Sequence, residues 1–264
     1  MISIAIVTLN NPEYLDLAIN GLIRNTKSEF ELLIHINKYS KNSFIDKILN
    51  KWENKGVITL ISTSAENQFC AKPLNNLFNN YARGEYFIFL DDDIYPAEKW
   101  DEALLSNIPN HRYWWLSPTL YYPRCAHQPA RYNTHSFGNH PVTFDTDRFN
   151  KEWEKRRNIT EDNKGWIIGA GLISREVWNE VGGYDEQFKL GEDVDLKAKI
   201  WNAARVAQAP YDFRSIADSV MYHFGHSGSS KRPMIIDPFK MFKQKWGMTI
   251  KEFYKKALPE IAYL

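Results

Sequence analysis

Asp91, Asp92 and Asp93 follow directly on the apolar run Tyr86–Leu90. Adjacent carboxylates repel one another, and a bound cation is the usual way to hold several in one place. Carboxylates are hard ligands suited to Mn2+ or Mg2+, with phosphate oxygens and water filling the remaining positions. Side chains at i and i+2 of an extended chain share a face. Asp91 and Asp93 are therefore expected to face one site while Asp92 points elsewhere. A solvated acidic turn after a strand is the plainer alternative. A Walker B strand also ends in acids, but its companion GxxxxGKS/T loop is missing from the sequence.

Two further groups carry chemistry. In Gly191-Glu192-Asp193-Val194-Asp195-Leu196, the apolar residues Leu196, Ile200 and Ala203 continue at helical spacing. Glu192 and Asp193 thus open a helix, where the macrodipole favours an ionised carboxylate, as a general base requires. Simple capping by acids is the competing reading. Downstream, His223 and His226 stand three apart. A closed zinc site needs about four ligands, and Cys70 and Cys125 show no spacing that completes one. One histidine joining the aspartates at a cation is more economical; ordinary hydrogen-bonded histidines are the alternative.

These residues need a frame. Ile2–Val7, Phe30–Ile36, Val57–Ile61 and Tyr86–Leu90 read as strands. Between them lie helices: one opened by Asn11-Pro12-Glu13, one over Phe44–Trp52, and one marked by Leu74, Leu77, Phe78, Tyr81 and Ala82 and ended by Gly84. The β-α-β-α-β-α-β order argues a parallel sheet packed with helices. Ligands of open α/β sheets bind beyond the carboxyl ends of the strands, where Asp91–Asp93 fall. Residues 110–165 are rich in Trp, Tyr, Pro, Arg and His without clean periodicity and read as loops and short elements, with a mobile segment around Glu152–Lys164. Gly169-Ala170-Gly171 beside Trp166 would let a bulky ligand approach the backbone. Ser174 can cap a short helix carrying Val177, Trp178 and Val181, which Gly182 or Gly183 would end.

Composition narrows the class. The chain has 264 residues, 44% hydrophobic and 25% charged, and can bury a sizeable core. Net charge is +1, so no electrostatic bias points to nucleic acid. Two cysteines outside any CxxC pair fit a reducing cytoplasm. The N-terminal residues read as a strand and not a leader, and no apolar run reaches the roughly 20 residues of a membrane helix. From Lys231 onward, eight Lys/Arg face three Asp/Glu, a net of +5. Ile250, Phe253, Tyr254, Ala257, Leu258 and Ile261 repeat there at helical spacing. Such a tail either docks on the domain or makes a weak peripheral contact with an anionic membrane; docking is preferred, because the helix must cover core before it can spare an apolar face.

Taken in order, the motifs resemble a known family. A first strand ending in Thr8, then Asn67 and Asn75, then Gly84-Glu85-Tyr86 running into Asp91-Asp92-Asp93, resembles the nucleotide-binding half of family 2-type glycosyltransferases with the GT-A fold. Gly182-Gly183-Tyr184-Asp185-Glu186 followed by Gly191–Leu196 is similar to its acceptor-side block, and Tyr222-His223-Phe224-Gly225 to its metal-ligand histidine segment. The resemblance implies one α/β GT-A domain over 1–264, a Rossmann-like, mostly parallel sheet with helices on both faces. Residues 1–95 would be the nucleotide-sugar half, 96–230 the acceptor half and 231–264 a helical tail. It implies that Asp91–Asp93 form the DxD motif, with Asp93 and His223 (or His226 in its place) binding Mn2+ or Mg2+. Asp91 would contact the donor ribose or share the metal, and Asp92 would join the donor set. Thr8 and Asn37 would lie near the nucleobase and Asn75 close to the donor. Asp193 would be the base, with Glu192, Trp166 and Gly171 on the acceptor side. The activity implied is inverting transfer from a nucleotide sugar, a UDP-sugar first among them, to a hydroxyl of a glycan or glycoconjugate. Two departures stand out: the family often has an acid near Asn37, and Phe69 occupies a position where glycine is common. A nucleotidyltransferase would show a Gly-rich basic loop where Thr8-Leu9-Asn10-Asn11-Pro12 stands, and a glycan-binding module would not need all three polar groups.

Overall fold

The computed structural model describes residues 1–41, 43–123, 133–134, 137–156, 170–225 and 237–258. Trp166, His226, Cys125 and Ile261 lie outside the described residues.

The first half forms as its periodicity predicts. Strands β1 (Ile2–Thr8), β2 (Phe30–Ile36), β3 (Leu60–Thr63) and β4 (Tyr86–Asp91) alternate with helices α1 (Pro12–Asn25), α2 (Phe44–Glu53) and α3 (Ala71–Asn80). Their strands pair in parallel in the order β3-β2-β1-β4. Ile4, Ile6, Leu32, Ile34, Ile88 and Leu90 point to the face covered by α1 and α2. Ala5, Val7, Leu33, Phe87 and Phe89 point to the opposite face, under α3. A strand buried on both faces reads as an unbroken apolar run, which is why β1, β2 and β4 are legible.

Two boundaries differ from expectation. β3 starts at Leu60 and not at Val57, because the Val57 N–H donates to Trp52 O at 3.1 Å and closes α2 first. Gly84 does not end α3, whose last residue is Asn80. A Cβ at Gly84 would lie 2.6 Å from the backbone nitrogen of Ser3, so the glycine permits a close crossing of β1.

The second half continues the same sheet. β5 (Ile94–Pro96), α4 (Trp100–Ser106), β6 (Tyr113–Tyr122), β7 (Asn133–Thr134), a 3₁₀ turn (Pro141–Thr143), α5 (Thr146–Arg156), β8 (Leu172–Ser174), α6 (Arg175–Val181), α7 (Glu192–Val206) and β9 (Tyr211–His223) follow. The strand order is β3-β2-β1-β4-β8-β6-β9-β5, with β7 against β6. The ladders β4–β8, β6–β8 and β5–β9 are antiparallel, and the others parallel, so the sheet is mixed with parallel pairs in the majority. The ten-residue β6 falls in the stretch expected to be loops. Its residues are buried on both faces, so they show no period-2 alternation.

Helices α8 (Pro238–Trp246) and α9 (Ile250–Ala257) dock on α7. Phe253, Ala257 and Leu258 join Ala198, Ile200 and Trp201 in one core, and Phe253 meets Trp201 edge-on at 5.8 Å. The apolar face of the tail therefore covers core, the preferred of its two expected uses. No described helix is long and apolar enough to cross a membrane.

Candidate active site

Strand β4 delivers Asp91 to its carboxyl end, and the chain turns through Asp92 and Asp93 into β5. β5 pairs with the end of β9 so that Ile94 faces His223, and the Phe224 N–H donates to Asp93 O at 3.0 Å. That register fixes the imidazole against the acids. His223 Nε2 stands 3.1 Å from Asp93 Oδ1 and 3.9 Å from Asp91 Oδ2. One ligand atom from each of the three lies within 4.8 Å of the others. Burial alone would depress the histidine's pKa, but Asp93, then Asp91 and Asp92, overcome it and lift it to about 9. Nε2 faces Asp93, while Nδ1 has no hydrogen-bond partner among the described residues. Two carboxylates and an imidazole are a donor set that a hard divalent cation satisfies, so these residues fit a metal. Asp91 is the most exposed of the three, at 32%, and marks the open side.

Asp92 faces the other way, as the i, i+2 geometry requires. It accepts from Thr8 Oγ1 and, at 3.0 Å, from Asn11 Nδ2. Burial, reinforced by Asp93 and Asp91, raises its pKa to about 7 against the bonds from Thr8 and Asn11, which lower it. Asn11 makes no side-chain cap to α1, and its Nδ2 donates to Asp92 instead. Thr8 is 1% exposed and Asp92 7%. The contact between Thr8 and Asp92, both expected on the donor side, pins the β4–β5 turn to the end of β1.

Asn37 and Asn75 also turn inward. Asn37 is buried, donates to Phe69 O at 3.0 Å and accepts from the Gln68 N–H at 2.8 Å, so it shapes the loop after β3. That loop places Phe69 at φ +61°, a left-handed conformation rare for a bulky residue. The Phe69 ring lies 5.4 Å from the Lys189 ammonium, which comes from the acceptor side. Asn75 binds both the N–H of Tyr184 (2.9 Å) and its carbonyl (2.9 Å), and so clamps the Gly182–Glu186 turn onto α3. Gly182 (φ +73°) caps α6, whose N-cap Ser174 accepts from the Val177 N–H.

Glu192 and Asp193 open α7 after Gly191 (φ +75°). Asp193 Oδ2 accepts from Lys197 Nζ at 3.0 Å. Asp195, two residues on, is fully buried and accepts from Lys245 Nζ and Trp246 Nε1, which makes it a fastening for α8. The buried Tyr184 phenol ties the two sides together. Its pKa is raised well above the ordinary value by burial first, then by Glu192, Asp193, Cys70 and Asp91. The carboxylates at the end of β4 and the start of α7 therefore act on one common group. Gly171 packs against Trp115: a Cβ there would lie 1.9 Å from the Trp115 ring, so the glycine serves core packing. Lys197 was not singled out from the sequence, although its i+4 spacing from Asp193 is visible there.

The profile of the family described as "Glycosyl transferase family 2" matches residues 3–174, about two thirds of the chain. The chain belongs to glycosyl transferase family 2. The family match ends before Glu192, Asp193 and His223. A curated relative, the O-antigen biosynthesis protein RfbC of Myxococcus xanthus, is 23% identical over 210 residues, 75% of this chain and 16% of that protein. The chain thus spans about a sixth of that relative's length. Among solved structures, GalNAc-T7 with UDP, GalNAc and Mn2+ superposes with a TM-score of 0.66 at 16% identity, over 98% of this chain and 51% of that one. TarS 1-349 of S. aureus in complex with UDP gives 0.58 at 17% identity, over 84% and 59%. These likenesses show the fold, a glycosyltransferase GT-A domain with a single mixed sheet. The Asp91–Asp93–His223 cluster stands at the carboxyl edge of this sheet.

Proposed function

We propose that this family 2 glycosyltransferase is an inverting, divalent-metal-dependent enzyme that moves a sugar from a UDP-sugar to a hydroxyl of a glycan or glycoconjugate. The observation that carries this reading is the convergence of Asp91, Asp93 and His223 within 4.8 Å. GalNAc-T7 and TarS, which share the fold, were solved with UDP, and the former with Mn2+. Asp91, Asp93 and His223 would hold Mn2+ or Mg2+, which when bound neutralises charge on the departing diphosphate.

The remaining roles belong to the chain's own side chains. Asp193 accepts the proton of the acceptor hydroxyl as its oxygen bonds to the anomeric carbon and the bond from that carbon to the diphosphate breaks. Attack from the face opposite the leaving group inverts the anomeric centre. Glu192, one residue earlier at the same helix start, binds the acceptor or the donor sugar. The Phe69 ring, reaching toward Lys189, narrows the donor cleft at the position where glycine is common.

A thermal-shift screen tests the reading. UDP-, GDP-, dTDP- and CMP-sugars are each added with Mn2+, with Mg2+ and with chelator. A ligand that binds the folded state raises Tm by linkage. A UDP-specific rise that chelator abolishes is the expected result. A metal-independent rise with free glycans alone would instead favour a binding module.

A further inference from the structure

Lys197 is a charged residue buried without exposure, and the proposed transfer does not use it. Burying an ammonium is costly unless it is paired. Its Nζ lies 3.0 Å from Asp193 Oδ2 and 5.4 Å from the centre of the Trp115 ring. Trp115 is itself 1% exposed, is held by its Nε1–H donating to Ser117 Oγ at 3.0 Å, and fits only because residue 171 is glycine. From the other side, Tyr254 of α9 is within electrostatic reach of both Lys197 and Asp193, and Glu192 of Lys197. The ammonium thus lies against the core ring of Trp115, and the C-terminal helix α9 packs on the helix that carries it. Asp193, by contrast, is 24% exposed. Its Oδ2 is tied inward while the carboxylate remains reachable from the cleft.

We propose that Lys197 is a positioning residue for Asp193: the buried ammonium, seated on Trp115 and carried by the helix on which α9 packs, holds Oδ2 and so sets the direction in which the carboxylate meets an acceptor. This rests on the reading of Asp193 as the base. A flexible exposed aspartate samples several rotamers; one oxygen bonded to a buried, immobile donor leaves the carboxylate a single orientation. The C-terminal helix then contributes to transfer without touching substrate, by keeping water from the ammonium.

The test uses the full chain, the UDP-sugar giving the largest thermal shift, Mn2+, and water as acceptor, with UDP release as readout. In that reaction the sugar–phosphate bond breaks, a sugar–oxygen bond to water forms, and the water proton goes to Asp193. Lys197→Met, which keeps the stem length and removes the charge, is expected to lower kcat at least tenfold with the donor KM within twofold. Asp193→Asn is expected to lower kcat by about 100-fold or more. The double variant, whose pair is uncharged, is expected to be no slower than Asp193→Asn alone, since residues acting as one unit are not additive. A fully active Lys197→Met overturns the proposal. So does a double variant slower than Asp193→Asn by a further tenfold, and this comparison stands even if Lys197→Met alone does not fold. Full activity in Asp193→Asn would remove the base itself and with it the proposed mechanism. An inactive Asp193→Asn with multiplying losses would remove only the role of Lys197.

Discussion

His223 Nε2 stands 3.1 Å from Asp93 Oδ1, although the two residues come from β9, the last strand in chain order, and from the turn after β4. The short β5–β9 ladder makes this contact, and the Phe224–Asp93 backbone bond locks it. A metal at this pair competes with the proton that the acids hold on the imidazole. His223→Ala and Asp93→Asn should each abolish the Mn2+-dependent part of the UDP-sugar thermal shift. Asp92→Asn, which alters the group facing Thr8, should keep it. Isothermal titration with Mn2+ checks the same order.

Asp193→Asn keeps the shape of the side chain and removes its basicity. A general base contributes about 100- to 10,000-fold to rate. Loss of that order in kcat, with donor binding by titration unchanged, is expected. Unchanged kcat would remove Asp193 from the mechanism.

Gly171→Ala forces a methyl group against Trp115, where the nearest ring carbon would be 1.9 Å away. Trp115 is fully enclosed and cannot swing out. Overpacking of this kind costs about 1–3 kcal/mol. Urea unfolding should show a lower midpoint at unchanged slope.

Glu31 supplies a pH signature remote from the site. It is 3% exposed, and its carboxylate accepts from the Arg83 N–H, from Ser3 Oγ (2.6 Å), from Arg83 Nε (2.9 Å) and from the Gly84 N–H (3.2 Å). Burial raises its pKa, but these bonds together outweigh it and hold the value below the ordinary one. A folded-state pKa below the unfolded value of about 4.3 means the stabilisation is complete above that pH and is lost as pH falls through the folded value. Glu31→Gln should cost about 1–3 kcal/mol at pH 7, since donors are left poorly matched. It should also flatten the fall of stability as pH drops below about 4.3. Equal acid sensitivity in both proteins would deny Glu31 this role.

The lysines of α8 and α9 remain exposed while Phe253, Ala257 and Leu258 are buried, so among the described residues of the tail electrostatics is the main attraction to an anionic membrane, beside the exposed Phe239. Co-sedimentation with anionic liposomes is expected at low ionic strength and should vanish near 0.15 M salt, where charges are screened beyond about 8 Å. Binding that survives high salt would require an apolar insertion.

Reading along the chain located β1, β2 and β4, helices α1, α2 and α3, the Ser174 cap, the opposed faces of Asp91 and Asp92, and the helix start at Glu192. Each rests on a pattern confined to one element: a two-residue or 3.6-residue period, a cap, or an i, i+2 spacing. What failed had no local signature. β6 is buried on both faces and shows no alternation. The partners of Thr8, Asn37 and Asn75 (Asp92, Phe69 and Tyr184) lie far along the chain and are likewise invisible to any single element's pattern. The packing of Trp115 against Gly171 is a contact that the residues around Gly171 do not announce. The sequence by itself determined which side chains could do chemistry and which end of the sheet would carry Asp91–Asp93. Only the tertiary structure decided which of them meet. A strand register shifted by one residue turns every side chain to the opposite face, and the pairing of β5 with β9 that brings His223 to the acids is a contact between distant segments.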